Sequence, residues 1–263
     1  MIRLLTRGDD FGSFRCADRA IKDAFQQGIL RNTSLMVPAP YFAEAAQLCR
    51  ELPDLCIGLH ATINCEWNEV RWGPVLGAER VPSLVLADGT FFKDTVELYR
   101  LHPSHEEILA ELAAQLQCAR DAGVHIRYMD IHMCFDWYDG LNAQLREYAQ
   151  SEGLFLSAWQ GNDTVEMPLY YLPAVEGSFT DPIEALLAQL QAIDPAKDDK
   201  PYLMVTHPCY PDAEIANITC GNSQPGDIAT GRNIDRQLFM DPRVTAYCAQ
   251  RGIELVQYAD LPL

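Results

Sequence analysis

The chain has 263 residues, with 20 Lys and Arg against 37 Asp and Glu and a formal charge of −17. That balance excludes nucleic acid and anionic membrane surfaces as expected partners, since both need a basic face. With 48% hydrophobic and 22% charged residues and no apolar run approaching a membrane span, the composition predicts one soluble globular domain, of the size usual for an α/β barrel.

Residues 2–6 predict a first strand that runs into Gly8-Asp9-Asp10. No long apolar stretch with a small-residue cleavage site precedes it, so a cytoplasmic protein is expected. The nine cysteines form no Cys-x-x-Cys pair, which predicts reduced thiols, and the Asn-x-Ser/Thr matches at Asn32, Asn162 and Asn217 are then chance. A helix follows over 16–27, where Ala17, Ala20, Ile21, Ala24 and Phe25 recur at helical spacing and Gly28 supplies the stop. Strands are predicted at 33–37 and 56–59. Ser104 and Glu107 form a capping-box pattern ahead of Ile108, Leu112 and Leu116, a helix that Gly123 ends.

A strand is predicted over 126–131 and another over 154–157. Asp181-Pro182 opens a helix that runs through Leu190, with Asp as cap and Pro at its first position. A strand at 202–206, a helix from Asp241-Pro242 to Gly252 and a strand at 253–257 complete the series. Strands alternating with helices predict an α/β fold with parallel strands and outer helices: a TIM-barrel-related (β/α) barrel-like single domain over 1–263. Two segments without periodicity, about 64–100 and 207–233, are expected to be long loops that cover a site. The run Lys197-Asp198-Asp199-Lys200 reads as a solvated loop.

Acidic and histidine residues recur at the C-terminal ends of predicted strands: Asp9 and Asp10, then His60, then Asp130 with His132, and finally His207. In a parallel barrel those ends converge on the face where active sites are built. One Asp and two His would make a facial set for a divalent metal with positions left for water and substrate. Taken singly, each has a plainer explanation. Asp9-Asp10 would serve as a turn, His60 as a core histidine, Asp130 and His132 as a buried hydrogen bond, and His207-Pro208 as a strand terminator. Their shared position at strand ends favours a site.

The motifs Arg7-Gly8-Asp9-Asp10-Phe11-Gly12, Gly58-Leu59-His60, Asp130-Ile131-His132-Met133-Cys134 and Thr206-His207-Pro208 resemble, in order, those of the YdjC-like carbohydrate deacetylases. The likeness spans essentially the whole chain. It implies a barrel-like fold and metal-dependent removal of acetyl groups from N-acetylated amino sugars or short oligosaccharides. Carried over by position, Asp10, His60 and His132 would bind a divalent ion, zinc or magnesium. Asp9 would be the general base and His207 the acid that protonates the departing amine. The resemblance also implies a small carbohydrate as partner and a homodimer. Arg7-Gly8 stands where the family has Asn-Ala, Cys134 where a second histidine is usual, and Cys209 where glycine is common.

The chemistry is coherent from the residues alone. Amide hydrolysis needs a polarised carbonyl, an activated water and a protonated leaving group, which a metal, a carboxylate and an imidazole supply. Asp130 would orient a ligating histidine. Cys134 reads either as a small apolar neighbour or as a thiolate that draws in a softer metal. Trp67, Trp72, Trp137 and Tyr138 would stack on sugar faces or pack the loops onto the barrel. Two other functions stay open: another metal-dependent hydrolase such as a phosphoesterase, which would need cations at the strand ends where only Arg7 offers one, and a non-catalytic sugar-binding barrel.

Overall fold

Arg7, Asn32, Thr33 and Thr206 are buried polar residues inside strands, and they anchor the sheet's centre. The computed structural model describes residues 1–158, 169–197 and 199–262. Asn162, and Asp198 of the acidic run, lie outside the described residues. Strands β1 (Arg3–Phe11), β2 (Asn32–Leu35), β3 (Cys56–Ala61), β4 (Ile126–Ile131), β5 (Phe155–Ser157), β6 (Tyr170–Tyr171), β7 (Tyr202–Thr206) and β8 (Glu254–Val256) form one sheet. Its order is β5-β4-β3-β2-β1-β7-β6, with β8 also on β1, and every ladder is parallel. β7 pairs with β1 over Leu4 to Gly8, so β8 at Arg3 to Leu5 and β2 from Arg7 onward share its other edge. Asn32 stitches that junction, its Nδ2 donating to the carbonyls of Thr6 and Val256, which fits the expectation that its glycosylation match is chance. Among the described residues no ladder joins β5 to β6.

The helices are α1 (Arg15–Gln27), α2 (Phe42–Glu51), α3 (Thr95–Arg100), α4 (His105–Asp121), α5 (Leu141–Ser151), α6 (Pro182–Gln191), α7 (Asp227–Met240) and α8 (Pro242–Arg251). Their apolar faces bury residues such as Ile21, Ala24, Leu112, Leu116 and Leu145 against the sheet, giving the expected single-domain, barrel-like α/β arrangement. Asp181 and Asp241 cap α6 and α8 by accepting from Ile183 N and Arg243 N at 2.9 and 2.8 Å. Ser104 caps α4, but Glu107 turns away to accept from Ser83, so only half of the expected capping box forms. Gly28 ends α1 for a reason other than a left-handed turn: a Cβ there would collide with the Phe239 carbonyl of α7.

The structure corrects the outline in places. β1 is longer than expected and carries Asp9 and Asp10 inside it. The segment 64–100 contains a 3-10 turn at Pro82–Leu84 and ends in α3, and 207–233 ends in the first turns of α7. The first segment is held by Arg71, which donates to the carbonyls of Cys65, Trp67 and Phe91 and to Thr90 Oγ1, and by Glu111, which accepts from Val75 N and Leu76 N. α7 buries only Ala229 and Phe239 fully, so it lacks the apolar stripe by which a helix announces itself. In the acidic run, Asp199 accepts from the Tyr170 hydroxyl.

Candidate active site

Parallel pairing brings the four motifs to one end of the sheet. His60 is the register partner of Asp130, and Gly8, just before the two aspartates, is the partner of Thr206, just before His207. Within β1, alternation puts Arg7 and Asp9 on one face. Asp10 would point the opposite way, but a bulge between Gly8 and Phe11 and a left-handed φ of 67° at Asp10 break the alternation and turn its carboxylate inward. Met133 and Cys134, just after His132, are left-handed as well (φ 53° and 50°). Backbone strain of this kind, roughly 1–3 kcal/mol per residue, gathers at functional sites.

Three side chains converge there. His60 Nε2 and His132 Nδ1 face each other at 3.1 Å, and Asp10 Oδ1 lies 3.3 and 3.5 Å from them. All three residues are buried, and Asp10 Oδ1 has no hydrogen-bond partner. The other Asp10 oxygen accepts from Arg232 Nη2 at 2.6 Å. His132 Nε2 is 3.0 Å from Glu66 Oε2, and His60 Nδ1 is 2.8 Å from Asp130 Oδ2. Each ring therefore has one nitrogen on a carboxylate and the other aimed at the shared point.

A cation fits this triangle. A tetrahedral ion with bonds of about 2.1 Å spaces its ligands about 3.4 Å apart, which the three distances match. The charge fits too: four buried carboxylates (Asp9, Asp10, Glu66 and Asp130) face the guanidiniums of Arg7 and Arg232, leaving two negative charges for a divalent ion to neutralise. Burial disfavours the charged form of His60, but Asp130 and Asp10 outweigh it and hold its pKa well above the usual range. His132, likewise opposed by burial, is raised to about 9 by Glu66 and Asp10. Burial acts to raise Asp10, yet Arg232 and the two histidines hold it well below the carboxylate range.

Asp9, His60 and Asp130 form a second compact group, but Arg7 occupies it. Its Nε and Nη2 grip Asp9 at 2.7 and 3.0 Å, Nη2 reaches Asp130 at 3.2 Å, and Nη1 donates to Ser157 Oγ and the Tyr258 hydroxyl. The guanidinium thus already neutralises that group. His207 stands just past β7 with its side chain 45% exposed, outside both groups.

α7 supplies two residues that the sequence reading missed. Besides its bond to Asp10, Arg232 lies over the Trp67 ring at 5.0 Å, and its Nη1 is buried without a partner. One helical turn on, Asp235 Oδ2 accepts the His207 backbone N–H at 2.9 Å and lies 3.9 Å from His207 Nδ1. Glu66 was missed as well. Two of the three sit in segments read as loops or at their edges, and their only signal is charge within a long connection.

The aromatic expectations divide. Trp67 is buried, with Phe14 edge-on to it at 5.8 Å, so it is a wall of the site and has no free face for a sugar. Trp72 is buried and donates its indole N–H to the Asn64 carbonyl, which makes it loop packing. Tyr138 is buried and donates to the Thr95 carbonyl. Trp137 alone is substantially exposed (38%), beside Tyr99 at 4.7 Å. Cys134 is exposed and joins no ligand group among the described residues.

A family model described as YdjC-like protein matches residues 3–250. The chain is 24% identical over 278 aligned positions to a protein of Thermoanaerobacter pseudethanolicus named carbohydrate deacetylase, with 98% of each chain covered. It is 25% identical to a Listeria innocua protein named carbohydrate deacetylase 2, with 99% of each covered. Its fold is shared by an Enterococcus faecalis crystal structure described as a cellobiose-phosphate cleavage protein (TM-score 0.78, 23% identity, 100% and 99% covered).

Proposed function

This chain belongs to the YdjC-like family, and from that premise we propose that it is a metal-dependent carbohydrate N-deacetylase, acting on an N-acetylated amino sugar or short oligosaccharide. The observation that carries the metal-dependent part is the Asp10, His60 and His132 triangle around an unpartnered carboxylate oxygen. Asp10, His60 and His132 would hold the ion, and two imidazole donors suit zinc better than magnesium. When bound, a divalent ion polarises the acetyl carbonyl and lowers the pKa of water towards about 7.

The chain's own groups do the rest. Asp130 and Glu66 fix the two imidazoles, each through the ring nitrogen that points away from the centre. Arg7 holds Asp9 by both oxygens next to Asp10, so the base is fixed in orientation before substrate arrives. Asp9 takes a proton from the attacking water, and His207, exposed on the same face, gives one to the amine. The phosphoesterase reading finds no support at Arg7, whose N–H groups are committed to Asp9, Asp130, Ser157 and Tyr258. Zinc-loaded protein should release acetate from a panel of N-acetylated amino sugars and no phosphate from sugar phosphates. Acetate release that is indifferent to exhaustive chelation would refute the metal-dependent mechanism.

A further inference from the structure

His207 lies on a loop, half exposed, with no strand or helix of its own to fix its ring, yet a proton donor must be held in place and kept charged. We propose that Asp235 of α7 is the positioning residue of His207, holding its backbone and its imidazolium together. The inference rests on the reading of His207 as the proton donor. One carboxylate oxygen does both jobs: Asp235 Oδ2 accepts the His207 backbone N–H at 2.9 Å and sits 3.9 Å from its Nδ1. The first contact sets where the ring hangs, and the second places a negative charge beside the nitrogen that need not face the substrate. Nε2 is then the nitrogen left to donate.

The other charges near His207 do not duplicate this role. Asp10, at the end of β1, is acidic and interacts with His207, but Arg232 already caps it at 2.6 Å. Asp235 is 29% exposed, with its Oδ2 turned to the loop, so its field reaches His207 through partly wet surroundings. A bound sugar would displace that water and strengthen the coupling, because an ion pair gains as the local dielectric falls. In the reaction, water adds its oxygen to the acetyl carbon and yields a proton to Asp9. The C–N bond breaks with its electron pair going to nitrogen, and His207 gives that nitrogen the second proton. The products are acetate and a free amine, and His207 is left neutral.

The test is Asp235→Asn, which keeps an oxygen for the backbone N–H and removes the charge. Amide hydrogen exchange at His207 should quicken about tenfold or more in Asp235→Ala, which removes the acceptor of its backbone N–H, and stay near wild type in Asp235→Asn. Turnover of an N-acetylated amino sugar at pH 8 should fall about tenfold, mainly in kcat. Hydrolysis of an activated acetyl ester, whose leaving group needs no proton, should stay within about twofold. The alkaline limb of the kcat profile should move further than that of kcat/KM, and Asp235→Glu should restore most of both. Unchanged amide exchange in Asp235→Ala, or equal losses on amide and ester, would overturn the assignment, as would failure of Glu to rescue. Amide exchange needs no turnover. If wild-type protein released no acetate while Asp235→Ala still exposed the His207 amide, only the deacetylase reading would fall.

Discussion

On the Nδ1 side of His60, Asp9 and Asp130 meet a guanidinium that answers both of them. On the Nε2 side, Asp10 Oδ1, His60 Nε2 and His132 Nδ1 face one another, while Arg232 and Glu66 hold the outer atoms of Asp10 and His132. The two groups are similar in size, burial and acidity, and they share a histidine. Chemically they differ, because Arg7 spans both carboxylates of the first, whereas Arg232 takes only the outer oxygen of Asp10 in the second and leaves Oδ1 without a hydrogen-bond partner. A compact cluster of ligating residue types is therefore a poor indicator of a metal site until its internal counter-charge has been counted.

The sharpest way to break this contrast is Asp10→Asn, which removes the charge from the open group. Metal content measured by mass spectrometry should fall to background, and activity by more than about 10³-fold; retention of stoichiometric metal would refute the assignment. Arg7→Met opens the closed group and leaves two buried carboxylates without their partner. Urea unfolding should show a loss of about 3–5 kcal/mol, and a loss below about 1 kcal/mol would mean that Arg7 is not what neutralises them. Asp9→Asn should keep the metal and cost roughly 10²-fold in turnover. Loss of metal there would show that the two groups are not separate.

The smallest effect concerns Asp18, which supports the open group from outside by accepting the Gly12 N–H at 2.7 Å, two residues beyond Asp10. Burial raises its pKa to about 8. The folded protein thus keeps a proton that the unfolded chain releases near pH 4, and stability falls as pH rises from about 4 to 8. Asp18→Asn keeps the acceptor and removes that cost. It should gain at least about 2 kcal/mol on wild type at pH 8 and nothing near pH 4, measured by urea unfolding at both.

The convergence of Asp10, His60 and His132 was readable in the sequence because a parallel sheet turns strand-end position into spatial proximity, and hydrophobic runs mark strand ends well. Arg232, Asp235 and Glu66 were not. Their elements are held by polar contacts to the site itself, as α7 is through Arg232 to Asp10 and Asp235 to His207, so no apolar period reveals them. The alternation of β1 also hid something: nothing in Asp9-Asp10 indicates that one residue would adopt a left-handed backbone and bring neighbouring acids to the same side. The buried Trp67 and Trp72 fall on the packing side of the two alternatives, since an aromatic near a site is first of all a large surface to bury.

Arg232 and Asp235 are three residues apart on one rigid rod, and through them the end of β1 and the turn after β7 share a single spar. One residue inserted between them would swing one relative to the other by about 100° around the helix axis. Length within that stretch of α7 is consequently frozen, and the connection leading into it is pinned too, by Cys209 N to the Arg232 carbonyl, Glu214 to Cys16 N and Glu69 to Thr219 N.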